Sequence, residues 1–264
     1  MSKTTLDLST LSDIADGAHT VKVKAKADGY IDSEFSNEVS YTKEPAPSLT
    51  NYILFEGETS DFTLKATNKE WDGTVEYSTD KNTWNTWDGS EIPSANKKLY
   101  LRGKNNTRFY TSNGVKFVLS AKAGCYGNIN TLLDYENPPT TLVSTCYTAM
   151  FNNCTLLTTA PELPATTLAS SCYMNMFRGC TSLTTAPELP ATTLANNCYS
   201  AMFRDCKLLK VSETQTEEYA TAWRIPSADG IADEATNWNS SMLRNTGGTF
   251  TGDPSINTTY YGAW

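Results

Sequence analysis

Apolar positions recur along this chain in two rhythms. Between about residues 125 and 211 the rhythm is a long repeat. Cys146, Cys172 and Cys198 lie 26 residues apart. The same step relates Met150, Met176 and Met202, then Phe151, Phe177 and Phe203, then Cys154, Cys180 and Cys206. The segment TTAPELPATTLA occurs twice unchanged, at 158–169 and 184–195, and an eroded earlier copy runs through Glu136, Pro138, Thr140, Thr141 and Leu142. Such a period marks stacked equivalent units, none of which can bury its apolar face alone. Within a unit, Leu183, Ala186 and Leu189 face inward from a short strand and bend. Pro190 then opens a helix that Thr192 or Thr193 caps. Leu194, Cys198, Met202 and Cys206 fall four apart, with Tyr199 and Phe203 beside them. That spacing predicts the apolar face of a helix of about three turns.

Upstream the rhythm is alternation. Phe62–Ala66, Val75–Tyr77, Leu99–Leu101 and Val115–Leu119 alternate apolar and polar residues. Turn signals separate them: Asp72-Gly73, Asp80-Lys-Asn82, Asp88-Gly89, Asn105-Asn106 and Asn113-Gly114. Residues 50–124 therefore read as a small antiparallel β-sandwich. Residues 1–43 hold two strands, Val21–Ala27 and Phe35–Tyr41, around Asp28-Gly29. Residues 44–49, Glu44-Pro-Ala-Pro47 among them, form a stiff linker. Residues 212–264 show no repeat. Their Trp223, Trp238 and Trp264 suit a C-terminal cap over the last open unit. The expected chain is mainly β with a short α/β solenoid: an N-terminal hairpin segment, a sandwich, a repeat stack over 125–211 and a cap.

The frame C-Y-x-x-M-F-x-x-C-x-x-L, carried by CYTAMFNNCTLLTTAPELP, CYMNMFRGCTSLTTAPELP and CYSAMFRDCKLL, resembles the BspA-like class of leucine-rich repeats. The likeness covers about a third of the chain, and the array is short, with Asn128 where later units place Cys. DGAHTVKVKAKADGY and DSEFSNEVSYT resemble the last strands of a fibronectin type III or immunoglobulin-like domain whose front strands are missing. Such modules imply binding or scaffolding rather than catalysis. They are found in bacterial surface proteins and in virion proteins of phages of gut Bacteroidales, including crAss-like phages.

Composition narrows the chemistry. The 264 residues carry a net charge of -8, which argues against a phosphate-backbone binder. His19 is the one histidine, which nearly removes histidine-based triads and metal centres. No G-x-S-x-G, H-E-x-x-H or P-loop occurs, so neither an enzyme nor a cofactor is expected. Glu162 and Glu188 recur only because the repeat does. The seven cysteines cannot all pair, and the eight-residue spacing within a unit is not a CxxC metal pattern. They read as small buried thiols in a vertical ladder. Cys146, Met150, Phe151, Cys154 and their equivalents Cys172, Met176, Phe177, Cys180, Cys198, Met202, Phe203 and Cys206 are the expected repeat core.

Candidate ligand contacts are few. Trp84 and Trp87, three apart, fall on opposite faces of a strand, so one of them could offer a flat platform to a sugar ring. Tyr100 lies in the same domain. Arg178 and Arg204 are equivalent positions, with Asn152 before them, and would form a small cationic row able to hold an acidic glycan. Against this, the units are nearly identical, with variation at a few positions, 148/174/200, 152/178/204 and 153/179/205 among them, which suits a scaffold.

No stretch of signal-peptide length opens the sequence, so outward-facing modules without an export signal point to a phage head fibre, capsid decoration protein or tail appendage. A bacterial surface adhesin and an intracellular interaction scaffold remain as alternatives. The expected partners are sister chains (a trimer is assumed by analogy with fibres), other virion proteins bound through the N-terminal strands, and a host surface glycan or protein. Nucleic acid and membrane insertion are not expected.

Overall fold

The computed structural model describes residues 17–21, 39–43, 51–110, 114–227, 232–233 and 235–264. The chain divides into two units, Met1–Ser48 and Leu49–Trp264. In the first, β1 (Gly17–Val21) and β2 (Val39–Lys43) pair antiparallel, with Gly17 opposite Lys43 and Val21 opposite Val39. His19 sits within β1, opposite Tyr41. The alternation expected at 22–38 lies outside the described residues.

The second unit is mainly β, in several sheets, with one short 3-10 turn at Ile129–Leu132 among the described residues. Its first part contains β3 (Ile53–Gly57), β4 (Thr63–Ala66), β5 (Thr74–Ser78), β6 (Asn85–Thr86), β7 (Ile92–Pro93), β8 (Lys98–Lys104), β9 (Phe117–Leu119) and β10 (Ala123–Tyr126). Alternation sets each strand's faces. Along β8, Leu99 and Leu101 are fully buried while Arg102 and Lys104 are half-buried on the other face. One sheet runs β11-β10-β3-β8-β5-β6, with β11 at Leu157–Thr159, and a second runs β7-β4-β9. Their shared interior holds Trp71, Trp87, Phe109 and Phe117. The turn residues act as their chemistry dictates. Asp80 Oδ1 accepts the N–H groups of Asn82 and Thr83, both at 2.8 Å, and Lys81 takes φ 66°.

The repeat does not fold as helix. From Val143 to Cys154 the chain is an unbroken ribbon of turns. Even-numbered amides close them: Cys146 N–H donates to Val143 O, Thr148 to Thr145 O, Met150 to Tyr147 O, Asn152 to Ala149 O and Cys154 to Phe151 O, at 2.9–3.3 Å. Odd-numbered amides instead donate one rung on. Thr145, Tyr147, Ala149, Phe151 and Asn153 reach the carbonyls of Ser170, Cys172, Met174, Met176 and Arg178 at 2.7–2.9 Å. Every fourth residue is left-handed: Thr145, Ala149 and Asn153 here, Ser171, Asn175 and Gly179 next, then Asn197, Ala201 and Asp205. A left-handed residue every fourth position is incompatible with an α-helix.

Two residues in, two residues out, with a period of four: that is the pattern the helical reading of Cys198, Met202 and Cys206 mistook for 3.6. Thr192 and Thr193 cap no helix. They join the neighbouring copy, through a Thr192 N–H bond to Thr166 O at 3.1 Å and the parallel Thr141–Thr167–Thr193 bridges. Asn128 does not occupy a cysteine position either, since its bridge partner is Glu162.

Stacking in register aligns the side chains. Tyr147, Tyr173 and Tyr199 form a column with centroids 5.9 Å apart and planes within 7°. Phe151, Phe177 and Phe203 form a second, at 5.5 and 5.8 Å. All twelve expected core residues are buried. The columns start inside the sandwich. Phe109 stacks on Tyr147 at 5.9 Å and Phe117 meets Phe151 edge-on at 5.5 Å. The N–H groups of Phe109 and Phe117 donate to Cys146 O and Met150 O. The boundary expected between 124 and 125 therefore cuts through β10, which pairs with β3 on one side and β11 on the other. Sandwich and stack share one apolar core.

The segment 212–264 does contain a repeat. Tyr199, Ala201, Phe203 and Asp205 donate to Trp238, Ser240, Met242 and Arg244 O at 2.7–3.0 Å, and Asn237, Ser241 and Asn245 are left-handed. Residues 237–246 are thus a fourth rung. Beside it β12 (Val211–Ser212), β14 (Thr259–Gly262) and β13 (Thr221–Arg224) form a small sheet. Trp238 and Trp223 end the two ring columns edge-on, at 6.2 and 6.4 Å.

Candidate ligand-binding surfaces

The two tryptophans of the β6 region separate as strand alternation requires. Trp87 turns inward, 1% exposed, stacked on Trp71 at 5.5 Å with its Nε1–H donating to Ser90 O at 2.7 Å. It offers no platform to a sugar. Tyr100 is also unavailable, 4% exposed beneath Tyr52 (edge-on, 5.2 Å) and the Lys81 ammonium (5.3 Å). Trp84 is half-buried on the outer face of the six-stranded sheet. Its ring is covered by the Arg102 guanidinium at 4.0 Å, which also lies 4.2 Å from the Tyr135 ring. Arg102 Nε–H donates to Glu76 Oε2 at 2.7 Å. This face is a closed set of cation–π and charge pairs, in which Lys104 also binds Asp134 and Glu136. Arg102 was legible as the outward neighbour of Tyr100 on β8, whereas nothing in the sequence marked Tyr135.

The arginine row is longer than the sequence reading made it. Asn153 N–H donates to Arg178 O, Gly179 N–H to Arg204 O and Asp205 N–H to Arg244 O, at 2.7–2.9 Å, so Arg178, Arg204 and Arg244 stand on successive rungs. Arg244 was hidden because its rung follows after 40 residues rather than 26, although S-x-M-L-R-N against S-x-M-F-R-D could have found it. Asp205 Oδ2 lies 3.7 Å from Arg178 Nε and 3.6 Å from Arg204 Nε. Its carboxyl is held below the ordinary value by the Asn245 amide first, and then by the charges of Arg204, Arg178 and Lys207.

The cysteine ladder has no reactive character. All seven thiols are free and buried. Burial pushes Cys154 and Cys198 up to about 11 and Cys206 to about 12. Cys180 and Cys206 donate S–H to Phe151 O and Phe177 O at 3.0 Å. Among the described residues no group of three or more His, Cys, Asp and Glu is placed to hold a metal ion, and no helix is long and apolar enough to cross a membrane. Glu162 and Glu188, both exposed, flank an apolar groove of about 320 Å³ walled by Pro161, Pro164, Pro187 and Pro190.

No protein-family model, curated protein or solved structure matches this chain.

Proposed function

We propose that this protein is an outward-facing structural component of a bacteriophage particle (a head fibre, capsid decoration or tail appendage) that adheres to the host surface or its glycans. In this reading the rungs are a leucine-rich repeat solenoid of the BspA-like class. The N-terminal hairpin anchors the chain to the particle or to sister chains, and the stack projects outward. The observation that supports it is the fate of the recurring side chains. The recurring cysteine, tyrosine, methionine and phenylalanine of the first three rungs are buried, while the outward pairs between them vary. A stack whose recurring apolar positions serve packing is suited to hold a shape and present a surface. Many copies on one particle turn weak contacts into avidity.

The test is mass spectrometry of purified virions together with a particle reconstruction. The reading requires the chain at defined, symmetry-related positions on the particle. Recovery from the envelope or surface of uninfected bacterial cells, and not from particles, returns a bacterial adhesin and overturns it.

A further inference from the structure

We infer that the row Arg178–Arg204–Arg244, with Lys207, is a binding site for a linear acidic polysaccharide lying along the stack. The inference rests on the adhesive reading above and names its ligand class. The row is an electrostatic anomaly. The whole chain carries -8, yet Arg178, Arg204 and Lys207 gather around a single carboxylate, Asp205, and Arg244 follows on the next rung.

The guanidinium groups also keep their hydrogen-bond donors free, although two of them pair electrostatically with Asp205. Each has five N–H donors, but among the described residues the side chains of Arg178, Arg204 and Arg244 donate no hydrogen bond. Asp205 stands beyond hydrogen-bond reach of both neighbours, at 3.7 and 3.6 Å, and Arg204 Nε is buried without a hydrogen-bond partner. Arg102, by contrast, is fully engaged with Glu76, Trp84 and Tyr135. Arginine forks match carboxylate and sulfate oxygens two at a time, which makes free forks a recognition surface for those groups.

Geometry selects a polymer rather than a single ion. Backbone ladders hold the three arginines at equivalent places on successive rungs, so anionic groups carried at intervals along a chain are met in turn. The outward pair preceding each arginine is small and polar except at Met174 and Ala201: Asn175, Ser200, Ser240 and Ser241. These half-buried side chains can serve sugar hydroxyls, although Ser200 Oγ already donates to Ser240 O at 3.2 Å. The outward columns carry no aromatic ring to stack a base, and the acidic chain repels a phosphate backbone, so nucleic acid is the poorer fit.

The test uses the full chain and four immobilised polymers: dextran sulfate, polygalacturonate, uncharged dextran and duplex DNA. At low salt at least one of the two acidic polysaccharides binds, dextran does not, and affinity falls as salt rises. Each Arg→Gln change at 178, 204 or 244 weakens binding about tenfold, the scale of one charge-assisted contact. Replacing all three with lysine keeps part of the binding, which guards against a variant that merely unfolds. Equal binding by the native chain and the triple glutamine variant overturns the site. So does failure to bind either acidic polymer, or binding to DNA as tight as to them. Because particle occupancy is measured separately, loss of this site leaves the virion reading standing, and the reverse also holds.

Discussion

Replacing Ala149 with glycine separates a ribbon of turns from a helix by the sign of its effect. Ala149 has φ 60°, is half-buried, and donates its N–H to Met174 O at 2.9 Å, a bond glycine keeps. Holding an L-residue left-handed costs roughly 1–2 kcal/mol, which glycine relieves. Glycine's greater freedom in the unfolded chain takes back about 0.5–1 kcal/mol. Loss of a half-buried methyl takes a few tenths more, at about 25 cal/mol per Å². The balance runs from about zero to 1 kcal/mol of stabilisation. In a helix the same change costs about 1 kcal/mol. Asn152, three residues on, is not left-handed, so Asn152→Gly loses about 0.5–1 kcal/mol in either case. Urea unfolding followed by far-UV circular dichroism at 25 °C places Ala149→Gly above Asn152→Gly by about 0.5–2 kcal/mol. Two variants equally below the native protein refute the left-handed residue at every fourth position, and the ribbon with it.

Three further outcomes are expected. Phe177, with rings 5.5 and 5.8 Å away on either side, loses about 3–5 kcal/mol on change to alanine. Change to leucine costs much less, since Leu243 fills the equivalent place in the fourth rung, and denaturant titration ranks the two. The thiols resist iodoacetamide at pH 8 in the native protein and react only as it unfolds, because burial holds them far above the pH where thiolate forms; mass spectrometry of a brief alkylation reads this. Asp205→Asn binds dextran sulfate several-fold tighter at pH 7, by removing the one competing carboxylate. Asp205's folded pKa lies below its ordinary 3.8, so its ion-pair contribution is present above that value and fades as pH falls through the folded one. Native and variant affinities converge in that acidic window, as an affinity series from pH 7 to pH 3 shows.

The distances between repeating residues were fully legible, and their conformation was not. Identical side chains at a 26-residue step force equivalent environments, so Met150, Met176 and Met202 had to share one interior, and all three are completely buried. Over the two intervals from Cys198 to Cys206, periods of 3.6 and 4 differ by less than one residue. Hydrophobic spacing alone does not separate them. The deciding signal lay in the outward positions. Asn153, Asn175, Gly179, Asn197 and Asp205 are residues that tolerate left-handed backbone, and they recur at the fourth place where a helix would favour alanine or lysine. The hidden fourth rung was missed for a different reason. Its aromatic and sulfur residues have been exchanged, Cys198 for Trp238, Tyr199 for Asn239 and Cys206 for Thr246, because a terminal rung has no neighbour beyond it to stack against.

That substitution also explains where the candidate site falls. A rung in the middle of the stack has its inward pair dictated by the rungs above and below, so only its outward pairs are free to change. Along the four rungs the position after the Met-Phe or Met-Leu pair reads Asn152, Arg178, Arg204, Arg244. Charge accumulates toward the end of the stack furthest from the sandwich, because the repeat that fixes the core leaves that column unconstrained by packing. Stacked like charges repel, so a column selected for stability alone would alternate sign or stay neutral. Asp205 relieves two of the three arginines and leaves Arg244 to solvent. Packing alone gives no reason for a fold to keep three arginines in register at an electrostatic cost, and the anionic polysaccharide proposed above would give one.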